Sequence, residues 1–149
     1  MEPANLRRIR VFCDSDVLIA GSASTTGASH ILLRLSELTL LDCVTSRYAI
    51  TEAERNLLTK LSAALPVFRL ILKAAITIVS DPPSSLRQQL MDQADEKDMP
   101  ILAAAIACEA DFLATFNFRH FQPRKTAPLI FRPGKILSQI RQSLNSLLN

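Results

Sequence analysis

Apolar residues in this chain fall into two kinds of segment, and the two kinds alternate. Short apolar-rich runs occur at residues 9–13 (IRVFC), 40–45 (LLDCVT), 75–79 (AITIV), 112–115 (FLAT) and 129–131 (LIF). Runs of this length, bounded by polar residues or proline, read as strands, the first of them buried. The segments between them carry helical spacing. In residues 29–37, Ile31, Leu32 and Leu35 share one face. Ser46 is a suitable N-cap for a helix to about residue 61. Pro66 opens another helix to about residue 73, residues 85–91 form a short one, and Pro133 starts the last, with Ile136, Leu137 and Ile140 turned inward. After the first strand, DSDVLIAG reads as a turn running into a short helix. Strands that alternate with helices predict an α/β fold: a three-layer α/β/α sandwich around a five-stranded parallel sheet, with residues 1–149 as one domain.

The segment at residues 99–110 differs from the other helices. It is apolar nearly all round (Ile101, Leu102, Ala103, Ala104, Ala105, Ile106, Ala107, Cys108), which predicts a buried helix. Pro100 belongs in its first turn, because proline deeper in a helix clashes with the carbonyl four residues back. That places the N-cap at Asp98 rather than Asp95. Capping alone explains Asp98 as well as catalysis does.

The chain has 149 residues, 48% hydrophobic and 21% charged, enough for one domain with a sizeable core. Its glycines are Gly21, Gly27 and Gly134, so no GxGxxG or GxxxxGK[ST] phosphate cradle is present. No apolar run approaches the roughly 20 residues of a membrane span. The start, MEPANLRRIRVFC, lacks the apolar core of a signal peptide, and the expectation is a cytoplasmic protein with no membrane association. Cys13, Cys43 and Cys108 are far apart, each in an apolar run, and read as reduced buried thiols. Neither His30 nor His120 stands at a zinc spacing from them. Net charge is only +3, but its distribution is uneven. From residue 112 onward there is no acid, while Arg119, Arg124, Lys125, Arg132, Lys135 and Arg141 all lie there. That asymmetry suits a polyanion, and equally suits a solvated basic edge.

In a parallel sheet the strand C-terminal ends share one edge, where sites are built. Asp14 and Asn117 follow strands and Asp98 opens a helix, so all three reach that edge. Glu52 or Glu54, on the helix after the second strand, supplies a further acid. Carboxylates packed together repel one another unless a cation sits between them. Oxygen ligands without cysteine or histidine favour Mg²⁺ or Mn²⁺, and such ions can activate water for phosphodiester hydrolysis.

These residues resemble the PIN-domain family, the fold of VapC-like toxin ribonucleases and of related solitary nucleases. The resemblance covers about residues 9–140. It rests on four ordered segments: VFCDSDVLIAG, TSRYAITEAERNLL, DMPILAAA and ADFLATFNFRHF. It implies Asp14, Glu52, Asp98 and Asn117 as the catalytic set, with Asp14, Glu52 and Asp98 as ligands of Mg²⁺ or Mn²⁺. Asp16, Asp95 and Thr115 are candidates for the outer shell, and Arg119, Arg124 and Lys125 for RNA phosphate contacts. Three features depart from the family pattern. Asp16 stands where many members carry Asn, and it either adds a ligand or forms a turn. Asn117 stands where many carry Asp, which lowers the charge available to a metal. A helical wheel puts Glu54 nearer than Glu52 to the apolar stripe of Ile50, Leu57 and Leu61, yet Glu52 fits the family pattern.

The implied function is a metal-dependent endoribonuclease, as the toxin of a toxin–antitoxin pair. Its partners would be an RNA substrate, an antitoxin protein and a second copy of the chain. Ala63, Leu65, Val67, Phe68, Leu70 and Ile71 are a candidate dimer surface, though ordinary core is the preferred reading of that run. The competing reading is a non-catalytic PIN-like module that binds RNA or protein, supported by Asn117. The DSD of DSDVLIAG also suggests a haloacid-dehalogenase-like phosphatase, which the scarcity of glycine argues against. Asp111 reads as polarising a helix–strand turn, and His120 as packing or touching phosphate rather than as a general acid.

Overall fold

A computed structural model describes residues 7–148. Five strands form one sheet: β1 (Arg10–Cys13), β2 (Asp42–Ser46), β3 (Thr77–Val79), β4 (Phe112–Ala114) and β5 (Leu129–Phe131). Their order is β3-β2-β1-β4-β5, and every pairing is parallel. The helices are α1 (Ser15–Ala23), α2 (Ala28–Glu37), α3 (Arg47–Lys60), α4 (Leu65–Ala75), α5 (Ser84–Gln89), α6 (Met99–Ala107) and α7 (Pro133–Leu148).

Side-chain alternation divides the core into two clusters. Val11 and Cys13 of β1, Cys43 of β2 and Ala114 of β4 join Val17, Leu18, Leu32, Leu33, Leu57, Phe68 and Ile136. Phe12, Val44 and Leu113 point the other way, to Leu90, the Ile101–Ala105 stretch of α6 and Phe121. A strand sends successive side chains to opposite faces, so two apolar layers on one sheet require helices on both sides. The result is the three-layer α/β/α architecture that the alternation of segments predicts. Ile101 through Ala105 are all fully buried, as an all-round apolar helix demands. Helix α3 contributes Ala49 to one cluster and Ala53 and Leu57 to the other.

Local signals act where the sequence places them. Ser46 caps α3 by accepting a hydrogen bond from the Ala49 N–H. Pro66 and Pro100 sit in the first turns of α4 and α6. Gly21 sits where α1 closely approaches α2: a Cβ there would stand 2.5 Å from Leu33 Cδ1, so that side chain would have to shift. Two helices end in residues with left-handed backbone, Thr39 (φ 64°) after α2 and Glu109 (φ 57°) after α6. In both, paired bonds close the end: Leu40 N to Leu35 O with Thr39 N to Ser36 O, and Ala110 N to Ala105 O with Glu109 N to Ile106 O.

Four of the five strands are shorter than their apolar runs, and β5 matches its run. β2 begins at Asp42, not at residue 40, because Leu40 and Leu41 turn back onto Leu35. β3 begins at Thr77, because α4 extends to Ala75. In the run proposed as a dimer surface, Leu65 and Phe68 are core, while Val67 and Leu70 are exposed. Cys13 and Cys43 are buried free thiols, and Cys108 is half-buried. Among the described residues, no helix is long and apolar enough to cross a membrane.

Candidate metal centre

The order of the strands matters for the site. From β1 the chain proceeds outward through β2 to β3, and then returns to the other side of β1 for β4 and β5. The sheet therefore reverses its winding between β1 and β4, and a crevice forms at the C-terminal ends of those two strands. Asp14 follows β1 there, and Thr115 follows β4.

Asp14 is only 4% exposed. One carboxylate oxygen accepts from the Ser15 N–H at 2.7 Å and the other from the Thr115 hydroxyl at 2.9 Å. These bonds favour the charged form, but they are outweighed. Burial, followed by the neighbouring charge of Asp16 and a smaller contribution from Asp98, pushes the Asp14 pKa up to about 7. Asp16, in the first turn of α1, stands beside it. Its Oδ2 accepts from the Phe116 N–H at 3.0 Å and the Asn117 side-chain amide at 3.2 Å. Its Oδ1 is buried and has no hydrogen-bond partner. Burial, with a smaller contribution from Glu52, raises the Asp16 pKa as well.

Asp98 is 9% exposed and stands at the N-cap position of α6, but its side chain caps nothing. A 3₁₀ turn over Glu96–Asp98 precedes α6, and both Asp98 N and Met99 N bond to the Asp95 carbonyl. The extended entry residue is thus Asp95, and Pro100 still lies in the first turn of α6 itself. The Asp98 carboxylate is free for another role, and His120 Nδ1 lies 3.1 Å from its Oδ2. A loop pairing invisible to sequence periodicity brings His120 there: Ala94 bridges Phe121, and Asp95 N bonds to His120 O.

Glu52 lies on the second turn of α3. The acids Asp16 and Tyr48 both feel its charge, and Tyr48 also feels those of Asp98 and Asp14. The Tyr48 hydroxyl donates to the Lys97 carbonyl at 2.9 Å, which pins α3 to the turn carrying Asp98. Glu54 faces elsewhere, 3.9 Å from Arg69 on α4.

Asp14, Asp16, Glu52 and Asp98 therefore share one electrostatic neighbourhood, with Thr115 and Asn117 as donors to it. Asp95, Asp98 and His120 form an adjoining group whose ligand atoms lie within 4.8 Å of one another. The two groups share Asp98. Asp95 is exposed and solvated, whereas the Asp14 side holds the unpartnered, desolvated oxygen, so a cation is needed more there. The donor set fits a hard divalent ion, since it offers carboxylate oxygens that repel one another, on the buried Asp14 and Asp98 and the half-buried Asp16 and Glu52.

The basic candidates divide. Arg124 is engaged by Asp92 and takes no free position. Lys125 and Arg119 are exposed and in no ion pair among the described residues. Asp111 lies at the far edge of the sheet, where it accepts from Arg10 N and pairs with Arg7.

A PIN-domain family profile matches residues 10–119, the interval from the first strand through the turn after Asn117. The chain belongs to the PIN-domain family. Among solved structures it is similar to VapBC2 from Rickettsia felis bound to a DNA fragment from their promoter, at 14% identity and TM-score 0.62. That likeness covers 83% of this PIN-domain chain and 98% of the other. It is also similar to Mycobacterium tuberculosis VapC20, a toxin that cleaves the sarcin–ricin loop, at 16% identity and TM-score 0.51, over 71% of this chain and 88% of that one. At these identities the likeness speaks for the fold. No curated protein matches the sequence.

Two features of this PIN domain have no clear sequence signal. Tyr48 is an ordinary helix residue until its hydroxyl is seen to reach Lys97. The contact of His120 with Asp98 depends on the loop pairing. Asp16 does carry a sequence signal, because it lies in the first turn of the helix that follows β1, beside Asp14.

Proposed function

We propose that this PIN-domain protein is a metal-dependent endoribonuclease that uses Mg²⁺ or Mn²⁺. The observation that carries the reading is the buried, unpartnered Asp16 Oδ1 beside the desolvated Asp14, at the point where the sheet reverses. Asp14, Asp16, Asp98 and Glu52 would hold the ion. When bound, it would polarise a phosphodiester and lower the pKa of an attacking water. Thr115 orients Asp14 through its hydroxyl, and it accepts from the Asn117 N–H at 3.1 Å. Asn117 donates to Asp16 through its side-chain amide. A carboxylate at position 117 would face Asp16 across 3.2 Å; the amide removes that repulsion. Asp16 thus makes good the charge that Asn117 lacks, which favours an active enzyme over a non-catalytic binding module.

RNA is the proposed substrate and an antitoxin protein a proposed partner. Two structural neighbours, VapBC2 bound to a promoter DNA fragment and a toxin that cleaves the sarcin–ricin loop, support that assignment. Residues 1–149 act as one PIN-like unit in this reading.

Asp98→Asn is the decisive test. Asn and Asp are equivalent as N-caps, and Asp98 makes no capping bond here, so the fold should keep its unfolding temperature within a few degrees. Loss of a full charge beside a divalent ion should lower Mn²⁺-dependent RNA cleavage by about a hundredfold or more. A folded mutant that still cleaves at the wild-type rate would remove Asp98 from the site and with it most of the case for a nuclease.

A further inference from the structure

A cavity of about 450 Å³ opens at the C-terminal edge of the sheet beyond β4 and β5, lined by Phe118, Arg119, Ile130, Phe131, Arg132 and Lys135. A smaller cavity of about 180 Å³ shares Phe118, Arg119 and Arg132 with it and continues to Asn117 and His120. Two residues of the smaller cavity touch the carboxylates: His120 Nδ1 lies 3.1 Å from Asp98 Oδ2, and the Asn117 amide donates to Asp16. All the strands are parallel, so β4 and β5 deliver Phe118 and Arg132 to the same edge as Asp14.

The lining joins rings to cations. The Arg132 and Arg119 guanidinium carbons lie 5.2 Å and 5.7 Å from the Phe118 ring centroid. Lys135 Nζ lies 4.2 Å from that of Phe131. These contacts hold three exposed cations at the cavity without neutralising them, and none is in an ion pair among the described residues. Arg124, which is engaged by Asp92, is the contrast. An apolar, ring-lined floor with a cationic rim matches a nucleotide, whose base has a flat π-face and whose phosphate is anionic. The volume lies in the range of small-ligand pockets, about 300–1,000 Å³. A base held in a duplex is stacked and paired and does not enter such a pocket; an unpaired one does.

We propose that this cavity is a subsite for one unpaired nucleotide of single-stranded RNA, next to the phosphate held at the carboxylates. The base stacks on Phe118 and its arginine cover, and the flanking phosphates accept from Arg119, Arg132 and Lys135. This rests on the ribonuclease reading for its substrate, but it concerns binding and can fail separately.

The experiment measures binding in EDTA, so that RNA stays intact. The probes are a fluorescein-labelled eight-nucleotide single strand, its duplex, and a set of the same strand with one abasic position in turn. Wild type should bind the single strand at least fivefold tighter than the duplex. One abasic position should weaken wild-type binding roughly tenfold, the usual scale for one stacked base. Phe118→Leu, which keeps apolar volume without the ring, should show the same loss and become indifferent to that abasic position. Arg132→Gln, an exposed change that leaves the core alone, should reduce the salt dependence of binding by about 0.7 in log–log slope. Equal binding of every abasic strand by wild type, or unchanged binding by folded Phe118→Leu, overturns the subsite. So does an acidic peptide that needs Phe118 when RNA does not. Base-dependent binding without any metal-dependent cleavage supports the subsite and overturns the nuclease reading alone.

Discussion

Asp14 carries an electrostatic cost of known sign. Its ordinary pKa of 3.8 rises to about 7 in the folded protein, chiefly through burial and then through Asp16. Between those values the folded state holds a proton that the unfolded state has released. Metal-free stability should therefore fall as pH rises from about 4 to 7 and level off above, with a drop from this group on the order of 4 kcal/mol. Asp14→Asn should flatten that decline, and saturating Mn²⁺ should raise the unfolding temperature at pH 8 more than at pH 5. A mutant with the same slope as wild type would show that Asp14 is not the group responsible. Asn117 makes a second prediction at this scale. Asn117→Asp loses the hydrogen bond to Asp16, about 1 kcal/mol, and adds a like charge. It should lower the metal-free unfolding temperature at pH 8 more than at pH 5. Combining it with Asp16→Asn removes the like charge and should restore only part of the pH 8 deficit, because the Phe116 N–H that shares Asp16 Oδ2 still requires an acceptor there.

At the scale of elements, helix starts were legible, whereas helix C-terminal ends and several strand starts were not. Ser46, Pro66, Pro100 and Pro133 mark starts because capping oxygens and proline act within one turn. The ends of α2 and α6 close through left-handed residues that are not glycine. Thr39 is β-branched and exposed, so its φ of 64° is strained. Thr39→Gly should stabilise the protein by about 1 kcal/mol, since the conformation suits glycine and no buried contact is lost. Thermal or urea unfolding would measure it, and a lower midpoint would mean that the threonine side chain holds the turn. Asp98 is the instructive element boundary. Proline position correctly places it ahead of α6, yet the intervening 3₁₀ turn frees its carboxylate for His120 and the crevice.

For the whole molecule, the acid-free C-terminal region becomes a surface with a location. Arg119, Arg132 and Lys135 gather at one cavity, whereas Arg124 is spent on Asp92. RNA binding should weaken by roughly twentyfold between 50 and 200 mM salt if about three cations contact phosphate. Arg124→Ala should leave that slope nearly unchanged. Binding indifferent to salt would exclude the basic edge as the phosphate track.

What the sequence by itself determined follows from short-range rules. Period and segment length set the alternation of strands and helices, and hence a parallel sheet with both faces covered. Ordered motifs then placed Asp14, Glu52, Asp98 and Asn117 near one edge. Only the tertiary structure decided how those groups face one another. It put the unpartnered oxygen on Asp16, turned Asn117 into its donor, and gave Glu54 to Arg69. It also brought His120 to Asp98 through loops 93–95 and 120–122, and set Phe118 beneath two arginines. Each of these depends on side-chain direction between segments distant in the chain. Local periodicity carries no term for such contacts; packing of the finished sheet and its loops does.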